Sequence, residues 1–109
     1  MDASETARVL AALGHEGRLS IFRLLAHAGP QGLPAGEVAR RIGQLQNTTS
    51  SNLSVLANVG LISGRRVGRS IFYAVMPTRF SEALAFLTAC SEAGGANQDR
   101  EVLSDHDAA

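Results

Sequence analysis

The sequence predicts a mainly α-helical domain, about five helices with one small β-hairpin. Three observations carry this. Alanine and aliphatic residues abound while aromatics make up only 5% of the chain, a balance that suits helices better than a sandwich or barrel. Four stretches with helical apolar spacing each close on a glycine, at Gly14, Gly29, Gly43 and Gly60. Two strand-like runs, "LISGRR" and "RSIFYAV", flank Val67-Gly68, a turn in which Gly68 supplies the positive φ.

Taken in order, "SETARVLAALG" is a short helix with Ser4 as its cap and Ala7, Val9, Leu10 and Leu13 as its apolar face. "HEGRLSIFRLLAHAG" sets Leu19, Phe22, Leu25 and Ala26 at helical spacing, widened by Ile21 and Leu24, and is expected at the centre of the core. "GPQGLP" breaks it, and Leu33 is placed to pair as a short strand. "PAGEVARRIG" is a third helix, with Pro34 near its first turn. It turns Val38, Ala39 and Ile42 inward and leaves Arg40 and Arg41 out. After a tight link, Asn47 is expected to cap a fourth helix whose Leu53, Leu56 and Val59 face the core. The hairpin follows. "PTRFSEALAFLTACSEA" is the last helix, opened by Pro77 and striped by Phe80, Ala83, Leu84 and Leu87.

The 109 residues give one domain with one modest core. Residues 1–92 are assigned to it, and 93–109 to an acidic tail too poor in large apolar residues to hold a fixed fold. No apolar run reaches the length of a membrane span, and "MDASETARVL" lacks the pattern of a signal peptide. The lone cysteine, Cys90, excludes an intrachain disulfide. A cytoplasmic protein is expected.

The net charge of zero conceals a division. Residues 37–80 carry six arginines against Glu37, a net +5, while residues 81–109 carry six acids against Arg100, a net −5. There is no lysine. A basic middle beside an acidic end implies either a face for a polyanion or an ordinary solvated surface. The residues between the third and fourth helices favour the first. Two short helices joined by a tight turn, the second polar along one face, make a helix-turn-helix. In that arrangement the second helix enters the DNA major groove. Gln46, Asn47, Thr48, Thr49, Ser50, Ser51 and Asn52 are short hydrogen-bonding side chains suited to base edges and phosphates. Arg65, Arg66 and Arg69 on the hairpin are suited to phosphate oxygens or the minor groove. Alternatively, the polar helix start reflects capping alone. Three arginines on one hairpin with no acid nearby fit that bland reading less well.

These segments resemble the ArsR/SmtB family of bacterial winged helix-turn-helix repressors. "ALGHEGRLSIFRLL" looks like that family's opening helix pair, "LPAGEVARRIG" like its helix before the turn, and "QNTTSSNLSVLANVGLISGRRVGRSIFYAV" like its recognition helix and wing. The likeness runs without gaps over about residues 7–90. It implies a homodimer built on the first and last helices, double-stranded operator DNA as partner, and release by an inducer. Two positions depart from the commonest pattern. Asn52 stands where relatives usually have histidine, and Gly17 where they usually have a larger residue such as threonine.

The sensing chemistry of that family is not matched. Metal-sensing relatives carry a Cys-x-Cys in the helix before the turn, or His and Asp pairs or adjacent cysteines in the last helix. Here these places read "AGEVARR" and "TACSEAGG". His15 and His27 are too far apart along one helix to share an ion, and His106 lies between two acids in the tail. No metal or cofactor is therefore expected. Cys90 is either a small residue on a helix face or a candidate sensor of thiol-reactive compounds. No phosphate loop, paired carboxylates or nucleophile motif points to an enzyme. The competing class is a winged-helix interaction module without DNA binding.

Overall fold

The computed structural model describes residues 1–94. Within them lie α1 (Ala3–Leu13), α2 (Glu16–Ala28), β1 (Leu33–Pro34), α3 (Ala35–Ile42), α4 (Gln46–Asn58), β2 (Ile62–Val67), β3 (Ser70–Val75) and α5 (Pro77–Gly94). The tail assigned to 93–109 lies outside the described residues beyond Gly94, where α5 ends.

The first helix starts two residues earlier than a Ser4 cap would have it. Asp2 is the cap: its carboxylate accepts from the Glu5 amide at 2.8 Å, and the Glu5 carboxylate accepts from the Asp2 amide at 3.2 Å. This reciprocal pair satisfies two donors that the first turn leaves open. In α2 the buried face is centred on Ile21 and Leu25, both fully buried. Leu19, expected inward, is 51% exposed, and Ala26 is exposed as well. Glu16, Ser20, Arg23 and His27 form a polar row along α2, and Ile21 and Leu25 stand opposite it, whereas Leu19 and Ala26 lie on its flank.

The sheet has three strands in the order β1-β3-β2, all antiparallel. Leu33 pairs opposite Tyr73, as the short strand expected there. The hairpin turn sits one residue later than expected. Val67 pairs with Ser70, so Gly68 and Arg69 form the two-residue turn, with Gly68 at φ 62°.

The junction between α4 and the hairpin is sharply defined. Gly60 has φ 81°, its amide donates to the Ala57 carbonyl at 3.0 Å, and the Leu61 amide donates to the Leu56 carbonyl at 3.1 Å. This is a Schellman end, and its usual apolar contact is present: Leu56 and Leu61 are both fully buried. Ile62, 2% exposed, carries the burial into the first residue of β2. Val9, Ile21, Leu25, Val38, Leu53, Leu56, Leu61, Ile62 and Ala83 form one cluster drawn from all five helices and the hairpin. Each large aliphatic side chain in it contributes about 1.5–3 kcal/mol by leaving water.

Candidate nucleic-acid interface

Helices α3 and α4 are joined through Gly43, Gln44 and Leu45, and α4 carries the polar stretch from Gln46 to Asn52. The structure divides that stretch in two. Gln46, Asn47, Thr48, Ser50 and Ser51 are exposed, whereas Thr49 is 1% and Asn52 6% exposed. The reading of Thr49 and Asn52 as groove-facing is therefore corrected. They lie on the side of α4 that also carries Leu53 and Leu56, and they point toward the protein. Asn47 does not cap α4 either. The helix begins two residues earlier, with Leu45 at the cap position and no side-chain cap bond, so the Asn47 side chain is left for solvent or a ligand.

Opposite the buried face, Asn47, Ser51, Ser54 and Asn58 form one exposed row. At 1.5 Å per residue the row is about 16 Å long. Ser54 and Asn58 were not among the expected contacts. Their spacing from Ser51, three and seven residues on, is the signal that places them on the same face.

In the hairpin, Arg65, Arg66 and Arg69 are all exposed. Arg65 is braced: its Nη2 donates to the Gln31 carbonyl at 3.3 Å, and its guanidinium lies 5.8 Å from the centre of the Phe72 ring. Arg66 follows it on β2 and so points to the other face of the ribbon, opposite Ile71. Arg69 sits in the turn.

The other arginines of the basic stretch are matched by acids. Arg40 and Arg41 both donate to Glu37, and Arg79 lies 3.4 Å from Glu5 and 3.7 Å from Glu82. The hydrogen bonds from Arg40 and then Arg41 lower the Glu37 pKa from 4.5 to about 2, and the same pairing raises that of Arg40. Among the described residues, the positive charge of the stretch without a carboxylate partner is thus concentrated on the wing.

Cys90 is exposed on α5. His15 caps α2, its Nδ1 accepting from the Arg18 amide at 3.4 Å, and the His27 Nδ1 lies 2.8 Å from the Arg23 carbonyl. His106 lies outside the described residues. No group of three or more His, Cys, Asp or Glu that could hold a metal ion occurs among the described residues. No helix of the described residues is long and apolar enough to cross a membrane. Leu10 of α1 and Phe80, Leu84 and Leu87 of α5 are 36–51% exposed, leaving an apolar surface on the two helices at the ends of the domain.

A helix-turn-helix with an outward polar row, followed directly by an arginine-bearing hairpin, defines a winged helix-turn-helix protein. The comparisons agree. The helix-turn-helix domain family matches residues 13–65. The HTH-type transcriptional regulator NmtR of Mycobacterium tuberculosis is 40% identical over 82 residues, 75% of this chain, and the chain spans 66% of that regulator's length. An ArsR-like transcriptional regulator from Rhodococcus sp. RHA1 superposes with a TM-score of 0.74 at 27% identity, covering 97% of this chain and 93% of that one. A homodimeric winged helix-turn-helix DNA-binding domain from Mycobacterium bovis, solved by NMR, superposes with a TM-score of 0.65 at 28% identity, covering 82% of this chain and 81% of that one. The chain belongs to the ArsR family of winged helix-turn-helix transcriptional regulators.

Proposed function

We propose that this protein is a cytoplasmic homodimeric repressor that binds double-stranded operator DNA and leaves it on a chemical signal. Gln46, Asn47, Thr48, Ser50 and Ser51 read the major groove, joined by Ser54. Arg65, Arg66 and Arg69 hold the backbone or the minor groove. One observation carries the reading: an exposed row of short polar side chains beside a wing whose arginines have no carboxylate partner among the described residues. Short hydroxyls and amides bring base-edge donors and acceptors without occupying the groove, and guanidiniums pair with phosphate in any sequence. The exposed apolar surface of α1 and α5 supports pairing of two copies, each presenting one reading helix to a half-site. Cys90 is the thiol that a reactive signal would meet.

The test is fluorescence anisotropy on the duplex upstream of the protein's own gene and on a random duplex of equal length, across salt concentration. The reading expects tighter binding to the first and a negative salt slope on both. Equal and salt-independent binding would instead favour an interaction module that has left DNA.

A further inference from the structure

From Gln46 to Asn52 the reading end of α4 carries no apolar side chain, and its cap residue Leu45 is 77% exposed. The aliphatic anchors, Leu53 and Leu56, begin only in the second half of the helix. The first two turns must therefore be docked by something else. The buried side chains there are Thr49 and Asn52, and both are held by Gln44 in the turn. Gln44 Oε1 accepts from Thr49 Oγ1 at 3.3 Å and from Asn52 Nδ2 at 3.5 Å. The other end of the Asn52 amide accepts from Arg18 Nη1 at 3.4 Å. Arg18 is itself fixed to the end of α1, donating from Nε to the Ala12 carbonyl at 2.7 Å and from Nη2 to the Ala11 carbonyl at 3.5 Å.

We propose that Gln44 is a positioning residue for DNA recognition: with Arg18 and Asn52 it sets the roll of the reading end of α4, and so sequence preference, without touching DNA. The proposal rests on the reading of α4 as the groove helix. The geometry makes roll the sensitive variable. Side-chain tips stand about 5–6 Å from a helix axis, so a roll of about 20° moves them through about 2 Å. Useful hydrogen-bond distances span only about 0.5 Å. A small loss of docking at the turn therefore mis-sets every base contact while leaving phosphate contacts from the wing intact.

Gly17 is part of the device. A Cβ at that position would lie 2.8 Å from Gln44 Nε2 and 3.3 Å from Asn52 Nδ2. Both are the far ends of flexible side chains, so they would move aside at little cost to the fold. The absence of a side chain at Gly17 leaves them where they hold α4. Gly17 and Asn52, on different helices, are thus neighbours in one cluster.

The experiment selects a preferred duplex from a randomised pool with the wild-type protein. It then measures the ratio of affinities for that duplex and for random DNA, together with the melting temperature of each variant. Gln44→Met keeps the length and removes the acceptor; its ratio is expected to fall about tenfold, the size of one lost base-pair contact. Gln44→Glu keeps an acceptor for Thr49 and Asn52. Its added charge weakens both affinities alike, so its ratio is expected to stay within about twofold of wild type. Gly17→Ala separates docking from stability. Alanine is the better helix former, so melting is expected to hold or rise while the ratio falls. If Gln44→Met does not fold, Gly17→Ala alone decides. A wild-type protein that selects a sequence, with variants whose ratio is unchanged, overturns the positioning role and leaves the DNA-binding reading standing. Equal loss in Gln44→Met and Gln44→Glu also overturns it. A wild-type protein that selects no sequence removes the reading of α4 itself, and the role of Gln44 with it.

Discussion

The Glu37 carboxylate takes two hydrogen bonds from the Arg40 guanidinium one turn along α3, Nε to Oε1 at 3.0 Å and Nη2 to Oε2 at 2.5 Å. Arg41 Nε adds a third at 2.6 Å. One acid therefore answers two bases beside the reading helix.

Removing that acid should free the pair. Glu37→Gln is expected to tighten binding to random DNA and steepen its salt slope by about 0.9 for each guanidinium that reaches a phosphate. An unchanged slope would place Arg40 and Arg41 away from the backbone. The acid limb of stability should change too. The Glu37 pKa is depressed, from 4.5 to about 2, so its contribution is present above about 4.5 and lost as pH falls toward 2. Wild type should lose stability across that window and Glu37→Gln should lose less, as read by urea melts at stepped pH. The groups are exposed, so the difference is small.

On the wing, Arg66→Ala and Arg69→Ala should weaken binding to every duplex alike and flatten the salt slope by about 0.9 per lost contact. Arg65 should behave differently. Arg65→Lys keeps the charge but gives up the planar group that lies over Phe72 and donates to the Gln31 carbonyl. It should weaken binding more than Lys at 66 does. Equal losses at both positions would mean that bracing the wing contributes nothing.

Burial separates two hydroxyls that look alike in the sequence. Thr49→Ala removes a buried group and its bond to Gln44, and should lower stability by about 1–3 kcal/mol. Ser51→Ala should leave stability within about 0.5 kcal/mol. It should nonetheless weaken binding to the preferred duplex by about 1–3 kcal/mol. Denaturant melts and anisotropy on the same samples would detect the reverse assignment.

The apolar patch gives a test of assembly. Leu84 is 51% exposed, so Leu84→Glu should leave the fold of one chain intact. It should convert a dimer to a monomer in sedimentation and weaken operator binding sharply, because two linked half-sites become two independent events. A wild-type monomer that still binds operator tightly would remove the dimer from the proposal.

How much of this was legible in the sequence differs by level. Helix ends at glycine were readable because Gly43 and Gly60 do what only a residue without Cβ does cheaply. Strand pairing was readable from the alternation around the turn, although the turn itself shifted from Val67-Gly68 to Gly68-Arg69. The inner face of α2 was legible in its polar row, since Ile21 and Leu25 stand opposite Glu16, Ser20, Arg23 and His27, but a count of apolar residues alone drew in Leu19 from the flank. At the candidate interface, residue type announced the region and misplaced two members. Thr49 and Asn52 have the chemistry of groove contacts, and nothing in a run of seven polar residues reveals that Gln44 and Arg18 lie behind them. Buried polar groups with polar partners look like surface until the partners are known.

The Schellman end at Gly60 has a mechanical meaning. Leu56 lies in the last turn of α4 and Leu61 begins the path to the wing, and both are clamped in one apolar cluster with only Val59, Gly60 and Leu61 between helix and hairpin. Helix and hairpin form a single tool head with no hinge inside it. A signal that detaches such a protein does not have to loosen either contact separately. In the proposed dimer it would have only to reset the gap between two such heads, as the jaws of a caliper are reset, until both could no longer sit on one face of the duplex at once.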